Sequence, residues 1–235
     1  MVSRVEPAYA KAMWFALASI LLGSVGASGL DNALALERSG DAVQALDSIE
    51  ELIRRNPTWA TAHIEAGRLR LQLGKDLDRA EAHLEAARFL VPENPRAHYL
   101  WGLLMEERGR RGEAIRSFET AILYRPDYVD ARFRLAGDYF SESNWEQAVL
   151  HYRALCEQQS DSTLARTQLA SALEKMGRLP EAEEELRRLV SQRPDSALYR
   201  RKLGEFYART NRPGLASKLL VEPKRKMREL NKSAR

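Results

Sequence analysis

The sequence predicts an all-α fold, an α-solenoid of stacked antiparallel helix pairs that follows an N-terminal hydrophobic segment. Three observations lead there. One pattern of apolar and small residues recurs at a fixed interval through most of the 235-residue chain, and such a period sets the architecture more firmly than length does. A hydrophobic content of 44% with 30% charged residues is ordinary for a folded helical protein and too apolar for a disordered one. No segment alternates apolar and polar residues over the length of a strand, and β-branched runs are few, so little of the chain is left for a sheet.

The clearest copy of the repeated unit is residues 95–128, PRAHYLWGLLMEERGRRGEAIRSFETAILYRPDY. It holds two amphipathic helical patterns, interrupted between Gly109 and Gly112 and closed by Pro126. Trp101, Gly102, Met105, Ala114, Phe118 and Ala121 fall where two antiparallel helices face each other. Gly102 and Ala114 are small at the crossing, which lets the backbones approach. These offsets resemble the tetratricopeptide repeat, whose motif places a large apolar residue, Gly, an aromatic, Ala, Phe, Ala and Pro in this order. The resemblance implies about five and a half units over roughly residues 26–221, each a helix hairpin that buries its open face on the next.

The units follow in register. Residues 26–59 carry Leu36, Gly40, Ala45, Ile49, Leu52 and Pro57, behind a weak leading helix with Gly29 and Asn32 at positions that favour large apolar groups. Residues 60–94 carry Gly67, Gly74, Leu84, Ala87 and Pro92, with one extra residue in the turn at 75–78. Residues 129–162 show Leu135, Ala136, Tyr139, Ala148 and Tyr152, with Ser160 in place of the closing proline. Residues 163–196 show Leu169, Ala170, Leu173, Gly177, Ala182, Leu186 and Pro194. The partial unit 197–221 has Leu203, Gly204, Tyr207 and Ala216, but Pro223 then removes a backbone donor and should stop the last helix near Val221. Motif aromatics such as Trp101, Phe118, Tyr139 and Tyr152 are thereby assigned to packing.

The two ends differ from the repeats. Residues 12–30 run without a charge, and the dense apolar part at 12–22 has the length of a signal-peptide core. Val25 and Ala27 stand at the −3 and −1 positions of a cleavage site, so residues 1–27 read as a signal peptide. An uncleaved anchor is the rival, since nineteen uncharged residues just reach a bilayer-spanning length, and both place the repeats on the periplasmic side. A third reading packs the segment as a cap on the first repeat of a cytoplasmic protein. At the other end, residues 222–235 form a basic tail. Lys224, Arg225, Lys226, Arg228, Lys232 and Arg235 stand there against Glu229 alone, so most of the formal net charge of +4 resides in the tail. The repeats themselves are close to neutral, which argues against a nucleic-acid-binding surface and leaves anionic lipid or another polyanion as a partner for the tail.

Chemistry is not indicated. There is no HExxH, phosphate-binding glycine loop or GxSxG sequence. Cys156 is the sole cysteine, so no intramolecular disulfide or paired-cysteine site can form. His63 and His98 share one repeat position, and His83 and His151 another. Equivalent positions stand a repeat apart, too far to converge on a metal, so neither metal nor cofactor is expected. The run Glu181, Glu183, Glu184 and Glu185 suits a helix N-terminus.

A surface remains. The family resemblance implies that the leading helices of successive repeats line a groove that receives a protein or peptide partner. Carried over by register, that groove comprises Ile64, Arg68 and Leu71, then Tyr99, Leu103 and Glu106, then Phe133, Arg134 and Phe140, then Thr167, Gln168, Ser171 and Lys175. Each set keeps helical spacing and so shares a face. The centre is apolar and aromatic, suited to an amphipathic helix or an extended peptide. The Lys and Asn clamp that grips chaperone C-termini in one subclass has no match, its places being held by Ile64, Arg68, Tyr99, Leu103, Phe133 and Gly137. The implied role is a non-enzymatic adaptor, and the exported N-terminus suggests assembly of a cell-envelope machine for secretion, pili or polysaccharide export.

Overall fold

The computed structural model describes residues 28–74 and 76–219. Twelve helices occur among them and no strand. In chain order they are α1 (28–38), α2 (Ala42–Arg55), α3 (Ala60–Leu73), α4 (Leu77–Leu90), α5 (Pro95–Glu107) and α6 (Arg111–Tyr124). There follow α7 (Val129–Ser141), α8 (Trp145–Gln158), α9 (Thr163–Lys175), α10 (Leu179–Gln192), α11 (Ala197–Arg209) and α12 (213–219). The apolar N-terminal segment, its cleavage site, the stop near Val221 and the basic tail lie outside the described residues.

Odd-numbered helices lead each hairpin and even-numbered ones trail. The reversal between them is made at one repeat position, held in sequence by Gly40, Gly74, Gly109, Ser143, Gly177 and Asn211, all with positive φ. Glycine adopts that left-handed conformation without a Cβ clash, which is why four of the six are glycine. The residue after the reversal closes the leading helix through a bond five residues back, as from the Arg110 amide to the Met105 carbonyl at 2.8 Å. The trailing helix can then start at once. Gly112, expected within the break, therefore lies in the first turn of α6. At the other end α5 and α9 are capped by side chains, Asn94 accepting from the Arg96 and Ala97 amides ahead of Pro95 in the first turn of α5, and Ser162 from the Ala165 amide.

The chain divides into two compact units, Met1–Tyr124 and Arg125–Arg235. In the first, the core of the opening hairpins gathers Leu30, Ala33, Ala45, Leu46, Ile49, Ala62, Ala66 and Leu69. The leading helix of the first repeat, expected to be weak, is formed in full over 28–38 because Leu30 and Ala33 are buried and Gly29 lets Leu52 close over it. The third hairpin buries Leu104, Met105, Ala114, Phe118 and Ala121. Trp101 is buried too, with the Arg88 guanidinium 4.5 Å above its ring. In the second unit one continuous core runs from Ala136 through Tyr152, Leu155, Leu169, Leu173 and Leu186 to Phe206 and Ala216. No helix among the described residues is long and apolar enough to cross a membrane.

Candidate partner-binding faces

In the first unit the predicted residues lie on α3 and α5, which pack against each other. Ile64 is buried, at 3% exposure, and so presents no surface of its own. Leu71, Tyr99, Leu103 and Glu106 are partly exposed. Tyr99 divides its ring between that face and the core, its centroid 5.9 Å from that of Phe118.

Arg68 is not a free cation. Its guanidinium reaches Glu37 on α1 at 2.5 Å, Glu65 on its own helix at 2.8 Å and the Gln72 carbonyl oxygen at 2.9 Å. Glu65 in turn meets Arg96 on α5 at 2.5 Å. The chain Glu37–Arg68–Glu65–Arg96 thus ties three leading helices together. Hydrogen bonding to Arg68 holds the Glu37 carboxyl below its usual range, and the bond to Glu37 raises the Arg68 guanidinium. Sequence reasoning picked out Arg68 but not this chain of ion pairs, because Glu37 and Arg96 stand one repeat away on either side.

In the second unit the predicted residues lie on α7 and α9. Phe133 and Phe140 are partly buried against the core, Phe133 edge-on to Tyr152 at 5.8 Å and Phe140 edge-on to Trp145 at 4.9 Å. Arg134 and Lys175 are exposed, while Thr167, Gln168 and Ser171 are partly so. The Thr167 and Ser171 hydroxyls donate to carbonyls one turn back, at 2.7 and 3.1 Å. Both line a cleft of about 170 Å³ with Glu174, Lys202, Glu205 and Arg209, where Glu174 and Arg209 form a two-point ion pair. Lys202, Glu205 and Arg209 belong to the partial sixth unit and were missed for that reason.

A second periodic feature ties each hairpin to the turn before it. From the second repeat on, the fourth residue donates to the carbonyl six residues earlier: His63 to Pro57, His98 to Pro92, Arg132 to Pro126, Arg166 to Ser160 and Arg200 to Pro194. His63 and His98 are therefore joint-forming residues. No cluster of three or more metal-ligating side chains exists among the described residues. Cys156 is buried, and burial pushes its thiol up. The first unit also carries Phe89 on α4 and Leu123 on α6 at equivalent repeat positions, 86% and 73% exposed. A face on the trailing helices was not anticipated, since the motif assigns nothing to that position.

Against known proteins, two models described as tetratricopeptide repeat match the chain, one over residues 30–95, 64–114 and 99–163, the other over 139–206. No curated protein sequence matches. Among solved structures, PilF of Pseudomonas aeruginosa superimposes with a TM-score of 0.69 at 14% identity, covering 87% of this chain and 92% of that one. YrrB, described as a TPR protein with an unusual peptide-binding site, gives 0.65 at 23% identity over 73% and 88%. MamA from Desulfovibrio magneticus gives 0.62 at 18% identity over 72% and 96%. The fold shared with these structures and the matched repeats, taken with the hairpin geometry, make this chain a member of the tetratricopeptide repeat family.

Proposed function

We propose that the protein is a non-enzymatic scaffold that holds a protein or peptide on its leading-helix faces, and that it serves in assembly of a cell-envelope complex. The observation that carries the binding reading is the set of large side chains left partly open on those helices: Leu71, Tyr99 and Leu103 in the first unit, Phe133 and Phe140 in the second. Partly exposed aromatic and aliphatic groups of this kind are what an amphipathic helix or an extended peptide recognises. Family membership supports it, since tetratricopeptide repeats bind protein or peptide partners. The envelope setting rests on the apolar segment at 12–22 and the small residues Val25 and Ala27, and export would place the repeats in the periplasm, free or tethered.

Site-specific photo-crosslinking tests the binding face. A crosslinker at Leu103 should trap one partner that a crosslinker at Phe89 does not, and the pair Tyr99→Ala with Phe133→Ala should lose it while remaining helical. A partner trapped only from Phe89 would move the site to the trailing helices. Mass spectrometry of the mature N-terminus tests export. An intact Met1 in the soluble cytosolic fraction would end that part of the reading.

A further inference from the structure

The joint into α3 differs from every other joint in that its donor faces a second histidine. His63 Nε2 lies 2.9 Å from the Pro57 carbonyl oxygen, which can only accept, so that nitrogen carries the proton. In neutral His63 the other nitrogen, Nδ1, is then an acceptor. It stands 3.1 Å from Nδ1 of His83 on α4, which must donate to it. Neutral His83 is left with a bare Nε2, 3.6 Å from the Glu50 carboxylate on α2. Among the described residues a further charged neighbour is Arg70 on α3, which pairs with Glu50 and with Asp76 in the turn before α4.

This arrangement has room for one proton and not for two. A first proton enters at His83 Nε2, where Glu50 faces it and Arg70 opposes it. A second proton on the pair would set two N–H groups against each other across the same 3.1 Å gap. We propose that the His63–His83 pair is an acid-sensitive joint: uptake of the second proton parts α3 from α4 and loosens the opening hairpins, while the Arg166 joint between α9 and α10 stays closed. The same two repeat positions hold Arg132 and His151, 3.5 Å apart, in one repeat of the second unit, and Arg166 and Glu185, an ion pair at 2.6 Å with no histidine, in the next. Burial first, and the neighbouring His63 second, lower the His83 pKa. The folded form thus holds fewer protons than the unfolded one around pH 6, and stability is lost as pH falls through that range.

Hydrogen exchange of the full chain, corrected for intrinsic rates and read at about pH 7.5 and about pH 5, tests the joint. Peptides from α3 and α4 should lose protection by about tenfold more than peptides from α9 and α10. Two variants decide the cause. His63→Arg combined with His83→Glu copies the Arg166–Glu185 pair, and His83→Gln keeps a donor that does not titrate should the double variant fail to fold. Each should remove the excess loss while leaving protection near neutrality unchanged. An equal loss in α3 and α4 and in α9 and α10 of the wild type, or an unreduced excess in His83→Gln, would overturn the proposal.

Discussion

Gly102 on α5 lies against the ring of Phe118 on α6 so closely that a Cβ there would collide with three ring carbons. The contact sets how near the two helices of the third hairpin can come. Phe118 is fully buried and cannot swing away without opening the core around Met105 and Ala121. Gly102→Ala should therefore destabilise the first unit by about 1–3 kcal/mol, the usual cost of overpacking, despite alanine's better helix propensity. Urea denaturation followed by circular dichroism measures it. A neutral or stabilising result would mean that the hairpin yields more readily than the packing indicates.

The reversal at Ser143 is the converse case. Its φ of +61° is one that glycine adopts freely at the equivalent Gly109 and Gly177, whereas a Cβ makes it costly. Ser143→Gly should stabilise the second unit by roughly 0.5–1 kcal/mol, the relief of strain exceeding the entropy that glycine adds to the unfolded chain. Asn211, at φ +57°, should gain less from the same change because asparagine tolerates the left-handed region. Thermal melts of the two single variants, compared with wild type, give the order.

These cases mark what the sequence makes legible. Gly102, Ala114, Phe118 and Pro126 announce the hairpin because packing at the crossing admits few residue types, and those types recur at each repeat. The joint residues recur as well, yet His63, His98, Arg132, Arg166 and Arg200 share only the ability to donate a hydrogen bond, which no search for identical residues detects. Register alone assigns the face residues to the leading helices. Register says which side of a helix a residue occupies but not how much of it a neighbour covers, so buried Ile64 and ion-paired Arg68 read from sequence as surface. Contacts such as His63 to His83 link different positions of one repeat and are set by side-chain direction across two helices, information that spacing does not carry.

Cys156 offers a probe of the second unit. It lies in the core with Leu155 and Leu169, and burial raises its thiol, so little thiolate forms near neutral pH. A disulfide reagent should label it only through opening of the second unit, at a rate that rises with urea in step with unfolding. Labelling as fast as that of a free thiol in the native protein would place the sulfur at the surface instead.

The Arg166 joint is the most heavily used. One guanidinium nitrogen donates to the Ser160 carbonyl at 2.8 Å and another to Glu185 at 2.6 Å, with both side chains largely out of solvent. Arg166→Met would keep much of the packing but leave the Ser160 carbonyl to the Gln192 side-chain amide, 2.8 Å away, and Glu185 to Arg188, 3.0 Å away on its exposed side. The loss should be about 2–4 kcal/mol, somewhat below that for a buried charge left wholly unpaired. Arg166→Lys should recover less than half of it, because a single ammonium cannot reach a carbonyl and a carboxylate set apart for a planar fork. Denaturant titration of the three proteins at one pH tests the order, wild type above Arg166→Lys above Arg166→Met. Full recovery with lysine would show that charge alone, not the forked geometry, holds α9 to the turn before it.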